Sequence, residues 1–290
     1  MGGIIMAEFV KALCDPDLAF LRYALFLGLI GSIPLGAVGT FVVARRISYL
    51  AAAIAHSALG GIGVALYCRA VFSWEWLHPM LGALLVALIA AGLIGWVSLR
   101  SRQREDALIG SIWVTGMAVG LLFIARTPGY VDPMAYFFGD ILLVTPADLW
   151  IAGGVGALIL GILTIWHQQI IAVCFDAEYA SLRGVRADWV YVLLLMLTAL
   201  TVVIMVSFVG IVLVIALLTL PPAIAAIGAR SLWRMLFVAI VLNIAFVLVG
   251  LGLSFSLDLP SGPAVILVAA MTYLLANGFL RLFSGRNACK

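Results

Sequence analysis

Apolar runs of about twenty residues recur from Leu18 to Phe283, separated by short polar or Pro/Gly breaks. Each is long enough to cross a ~30 Å hydrocarbon layer as a helix rising ~1.5 Å per residue. Crossing lipid repeatedly in short segments leaves helices as the economical way to close backbone hydrogen bonds. Composition agrees: 66% of the 290 residues are hydrophobic, 10% are charged, and mean hydropathy is +1.25. The expected fold class is all-α, a polytopic transmembrane helical bundle forming a single integral domain over residues 18–283.

Reading the runs between breaks places spans near 18–43, 47–70, 77–99, 107–126, 147–172, 189–207, 209–229, 234–256 and 263–283. That makes nine, with eight as the alternative. The stretch 127–146 carries Asp132 and Asp140 and reads as an outer loop with a short helix. The apolar block 190–228 is expected to bend at Gly210 or at Pro221 and Pro222. With the N-terminus outside, the inner loops and tail hold Arg45, Arg46, Arg100, Arg102, Arg104, Arg183, Arg186, Arg230, Arg234, Arg281, Arg286 and Lys290, twelve of the sixteen basic residues. Retained basic residues mark the cytoplasmic side, so the C-terminus and the tail 284–290 are expected there. Residues 1–17 carry Glu8 and Lys11 within their apolar run and read as an interfacial segment rather than a cleaved signal.

Several function classes are disfavoured by what the chain carries. The lysines are Lys11 and Lys290, and no GxxxxGK[ST] run is present, so ATP hydrolysis is not expected of this chain. No Ser, His and Asp grouping shares a loop as an enzyme would require. The formal charge of +3 is small and gives no reason to expect a nucleic-acid partner. Cys14, Cys68, Cys174 and Cys289 have neither zinc nor disulfide spacing. Many of the 29 glycines lie inside spans, Gly28, Gly31, Gly36 and Gly39 in the first and Gly153, Gly154, Gly156 and Gly161 in the fifth. They suit close helix packing within the chain or a seam between subunits.

Inside the spans the ionisable residue of note is His56, followed by Ser57, in "SYLAAAIAHSALGG". Ionisable groups are costly in lipid and usually face a bundle interior or a watery path, which makes His56 a candidate pathway residue. The alternative is a neutral imidazole serving packing alone. Asn243 and Thr115 are weaker signals of the same kind. One imidazole does not make a metal site, so any ion at His56 needs donors from elsewhere, such as a second copy across a twofold axis. Asp140 and Asp132 could offer carboxylates near an outer entrance or be merely solvated. The polar interruption "FDAEYASLRGVRADW", 175–189, sets Asp176, Ala180 and Gly184 at fourfold spacing beside Arg183, as on one face of a helix that docks on a soluble partner or merely returns the chain.

Six blocks in order carry a resemblance: "RRISYLAAAIAHSALGG" (45–61), "DALIG" (106–110), "VDPMAYFFGDILLVTPADL" (131–149), "FDAEYASLRGV" (175–185), "FVGIVLVIALLTLPPAIA" (208–225) and "LPSGPAVIL" (259–267). The chain resembles the integral-membrane permeases of bacterial ABC importers for zinc and manganese, sometimes iron. The resemblance implies a multi-pass protein of the bacterial inner membrane that moves a divalent metal ion inward by alternating access. It implies a permease dimer, homo- or heteromeric, with cytoplasmic ATPase subunits that use the ATP and an extracytoplasmic metal-binding protein. No permanently bound cofactor is implied. The alternative is an ATP-independent secondary carrier or channel, which would call for paired intramembrane charges.

By the same resemblance, Asp176, Ala180, Arg183 and Gly184 belong to the coupling segment that meets the ATPase, and Gly210 and Pro221 to a bend beside the pathway with His56 and Ser57. The family commonly has an aspartate four residues before the histidine, on the same helical face, but here that position is Ala52. His56 and Asp140 are therefore metal-ligand candidates with an incomplete donor set. The path then binds weakly through His56, from one copy or two, takes its carboxylate from a different partner permease, or serves a changed substrate.

Overall fold

The computed structural model describes residues 18–100, 105–129, 132–139 and 144–284. The expected segment 1–17, the tail residues 285–290 and Asp140 lie outside them. Eleven helices are found among the described residues: α1 (Ala19–Ala44), α2 (Ser48–Phe72), α3 (Pro79–Arg100), α4 (Glu105–Arg126), α5 (Pro133–Phe138), α6 (Pro146–Phe175), α7 (Ala177–Leu182), α8 (Ala187–Val209), α9 (Ile211–Gly228), α10 (Leu232–Leu257) and α11 (Ser261–Ser284). All but α5 and α7 are long and apolar enough to cross a membrane, making nine candidate spans among the described residues.

The helices α1, α2 and α8 are the most buried, and α4, α6 and α11 lie at the periphery. Side-chain hydroxyls buried in this core bond back one turn along their own helices, as in Ser32 to the Gly28 carbonyl (2.6 Å), Thr40 to Gly36 (2.7 Å), Thr198 to Leu194 (2.8 Å) and Thr201 to Leu197 (2.8 Å). Such bonds let a polar side chain sit in an apolar interior without the desolvation cost of an unmade hydrogen bond, about 1–3 kcal/mol.

Glycine sets how closely the inner helices approach. A methyl at Gly60 of α2 would lie 2.9 Å from the Gly116 carbonyl oxygen of α4, and one at Gly116 would lie 2.6 Å from Ser57 Cα. Gly61 meets Gly82 of α3 in the same backbone-to-backbone way. The first-span glycines pack within the chain, Gly28 against Val247 and Gly36 against Ile240 of α10. In α6, by contrast, a methyl at Gly153, Gly154 or Gly161 would meet nothing within 4 Å. Small residues thus do the work expected of them in α1 and α2, where dispersion contacts replace the hydrophobic drive that lipid does not supply.

The apolar block 190–228 breaks at Gly210, which has φ +85° and joins α8 to α9. Of the two expected bend points, the prolines are not used. Pro221 and Pro222 are buried inside α9, with Pro222 Cγ 3.1 Å from a methyl built at Gly39. The loop 127–146 does contain a short helix, α5, whose start is held by Asp132 Oδ1 accepting from the Met134 amide at 2.9 Å.

Candidate functional site

Half-way along α2 the glycine seam decides what His56 faces. Gly60 and Gly63 seat against Gly116 and Gly120 of α4, and this register brings Trp113, one turn ahead of Gly116, over His56, one turn ahead of Gly60. The rings stack with centroids 4.7 Å apart at 11°. The indole is fixed in turn by its Nε1–H donating to Met117 Sδ at 3.0 Å and by Tyr49 at 5.9 Å between centroids. His56 Nδ1 is buried and has no hydrogen-bond partner among the described residues. Ala52 lies one turn before it and is half-buried like it, so the position that lacks a carboxylate is on the imidazole's side of the helix.

Ser57 does not join His56. Its hydroxyl is buried and donates to the Ala53 carbonyl at 2.7 Å, with the Ile112 carbonyl of α4 at 3.4 Å, so it belongs to the helix seam. Asn243 in α10 is the second interior polar group without partners: it is fully buried, and neither Oδ1 nor Nδ2 is bonded among the described residues. It faces α1, between Ile240, which packs on Gly36, and Val247, which packs on Gly28. No three His, Cys, Asp or Glu side chains gather as a metal cluster among the described residues.

Gly210 forms a seat. A Cβ there would meet Gly139 N and Phe138 C, one at Gly139 (φ +73°) would meet Val209, and one at Gly262 would meet the Phe138 carbonyl. The C-terminal end of α5 therefore rests, backbone on backbone, on the junction of α8 with α9 and on the start of α11. Only glycine satisfies both the positive φ and the contact. Burial pushes the Tyr136 phenol of α5 above its ordinary value, so it stays protonated.

At the opposite end lies the polar segment 175–189. Asp176 is the N-cap of α7, its Oδ1 accepting from the Tyr179 amide at 2.9 Å. Ala180 is buried against the bundle, Arg183 donates to Tyr179 Oη at 2.6 Å, and Gly184 has φ +83° with open space around it. The fourfold stripe expected of Asp176, Ala180 and Gly184 does not form, because α7 has only six residues. One of the three caps it, one is buried and one ends it in a left-handed turn. The outward face is Phe175, Tyr179, Leu182 and Arg183, with Leu182 86% exposed.

Arg45, read in the sequence only as a topogenic charge, ties the end of α6 just ahead of this segment to the turn between α1 and α2. From the turn between α1 and α2 its Nη1 donates to the Val173 carbonyl at 2.9 Å, two residues ahead of Phe175. Its guanidinium lies 5.9 Å from the Tyr191 ring centroid, and Tyr191 Oη donates to Ser98 Oγ at 3.0 Å. Trp113 was missed as well, since an aromatic inside an apolar run carries no mark of its role; only its placement in the glycine register does.

Nine helices among the described residues are long and apolar enough to cross a membrane, and together they define a multi-pass membrane protein. The chain belongs to the ABC 3 transport family, whose profile matches residues 17–279. It is 38% identical to a Chlamydia pneumoniae protein named "Probable metal transport system membrane protein", over 86% of this chain and 85% of that one. It is 31% identical to the manganese transport system membrane protein MntC of Halalkalibacterium halodurans, over 90% and 87%. Among solved structures, PsaBC from Streptococcus pneumoniae in complex with Fab superposes with a TM-score of 0.82 at 29% identity, covering 95% of this chain and 99% of that one.

Proposed function

We propose that this chain is the permease subunit of an ATP-driven importer for a divalent transition metal, with manganese the first candidate and zinc the second. The reading is carried by the nearly full-length match to the transport family, together with relatives named for metal and manganese transport. ATP is used by separate cytoplasmic subunits, a second permease copy or a related permease completes the path, and an extracytoplasmic binding protein delivers the ion. The arginine-bearing end faces the cytoplasm, where retained positive charge belongs.

In this reading His56 offers one nitrogen to a passing ion. With alanine at position 52 the site is weak, which suits conduction better than a closed cage would. Asp140 remains a proposed donor near the outer entrance. Gly210 holds α5 across the α8–α9 junction, Pro221 stiffens the adjoining helix, and Ser57 sets the seam that aims His56. Arg183 and Gly184, joined by Leu182, meet the ATPase, while Asp176 caps α7 and Ala180 seats it.

The test pairs the chain with its ATPase subunits and binding protein in vesicles and follows ATP turnover. Stimulation by the metal-loaded binding protein, above that by the metal-free form, is the expected result. Equal turnover with and without the permease would overturn the assignment.

A further inference from the structure

Where α9 and α10 diverge at the Gly228–Ser231 turn they leave a cleft of about 650 Å³. Ile224 and Ala225 wall one side, Trp233, Phe237 and Val238 the other, and Arg234 stands at the rim. Arg230 is exposed in the turn itself, and neither guanidinium has a hydrogen-bond or ion-pair partner among the described residues. The first turn of α10 holds no acidic residue to neutralise them. From this rim an outward stripe runs along α10 at four-residue spacing, Trp233 58% exposed, Phe237 68% and Val241 47%.

Two cations unpaired among the described residues, an indole beside them and an apolar cleft opening on an exposed apolar stripe together match one kind of molecule. The head is anionic and the tail is long and apolar. A soluble acidic partner would satisfy the arginines and leave the cleft and stripe unexplained, and a neutral lipid would do the reverse. We infer that this cleft is a binding site for an anionic phospholipid of the surrounding bilayer, its phosphate held between Arg230 and Arg234 and an acyl chain lying in the cleft against Phe237 and Val238. Basic pockets between helices at a membrane surface take such headgroups, and Trp sits at the level of the ester region. The inference is independent of what the chain transports.

The full chain is reconstituted in phosphatidylcholine vesicles containing a fixed fraction of either brominated phosphatidylglycerol or brominated phosphatidylcholine, since bromine quenches a nearby indole. Subtracting the Trp233→Phe signal isolates Trp233, and intact-mass measurement of retained phosphatidylglycerol gives a second readout. Trp233 should be quenched several-fold more by the anionic lipid. Arg230→Gln and Arg234→Gln should each lower that preference about fivefold. Arg230→Lys with Arg234→Lys should keep most of it, and Arg126→Gln at the far end of α4 should leave it unchanged. Equal quenching by the two lipids, a preference that survives the double glutamine variant, or no quenching by either lipid because a protein surface covers the cleft would each overturn the inference.

Discussion

The segment around α7 and the middle of the bundle treat several of their polar groups in opposite ways. Around α7 three polar side chains are partnered within the chain: Asp176 with the Tyr179 amide, Arg183 with Tyr179 Oη, Arg45 with the Val173 carbonyl. In the middle, His56 Nδ1 and both polar atoms of Asn243 are buried without partners among the described residues, although hydroxyls in the same core are locally satisfied. Completed bonds make a stiff connection, whereas incomplete ones leave capacity for a transient guest. In the proposed function the contrast corresponds to a lever and a path.

Four substitutions would sharpen or break this contrast. The largest expected effect is at neither pole but at the α5 seat, at the end of the bundle opposite α7. Gly210→Val forces a β-branched side chain into φ +85° and into the backbone of Phe138 and Gly139. It should cost about 3 kcal/mol or more and reduce the yield of folded protein, read as a fall in Tm in detergent; an unchanged Tm would show that α5 is not seated there. Next, His56→Ala should lower metal uptake by about tenfold or more while leaving Tm nearly unchanged, because the proposed donor is removed and only a ring stack is lost. A variant that transports normally would turn His56 into a packing residue.

Third, Arg45→Met should cost about 1 kcal/mol, the worth of a charged hydrogen bond discounted for its half-exposed position. It should also lower the uptake obtained per ATP consumed. Loss of stability with unaltered coupling would leave Arg45 a structural tie. The smallest effect is expected at Asn243→Leu, which replaces an unpartnered buried amide by an apolar side chain of similar size. Stability should rise by up to about 1 kcal/mol while uptake falls. Unchanged uptake would show that its unpartnered amide serves no passing ion.

The apolar runs made the spans legible, because membrane thickness and the helical rise leave little freedom in length. The break at Gly210 was legible only as one of two options. Two consecutive prolines look like the stronger breaker, yet Pro221 and Pro222 continue α9, where a membrane helix tolerates lost amide bonds if neighbours pack closely. The stripe through Asp176, Ala180 and Gly184 failed for a local reason: an aspartate before a short helix caps it, and a glycine after it ends it. His56 could be singled out from its chemistry alone. Trp113 and Arg45 could not, since their roles depend on which helices touch, and that was encoded in the glycine register between α2 and α4 and in the tight turn between α1 and α2.

The central claim is that an ATP-driven metal path runs past His56. It is tested most directly by radioactive manganese uptake into vesicles holding the chain with its ATPase and binding protein, comparing the parent protein with His56→Ala at matched ATP turnover. The account predicts uptake that requires ATP, is competed by zinc and falls about tenfold or more in the variant. Uptake that proceeds without ATP, or that is the same in both proteins, would contradict it.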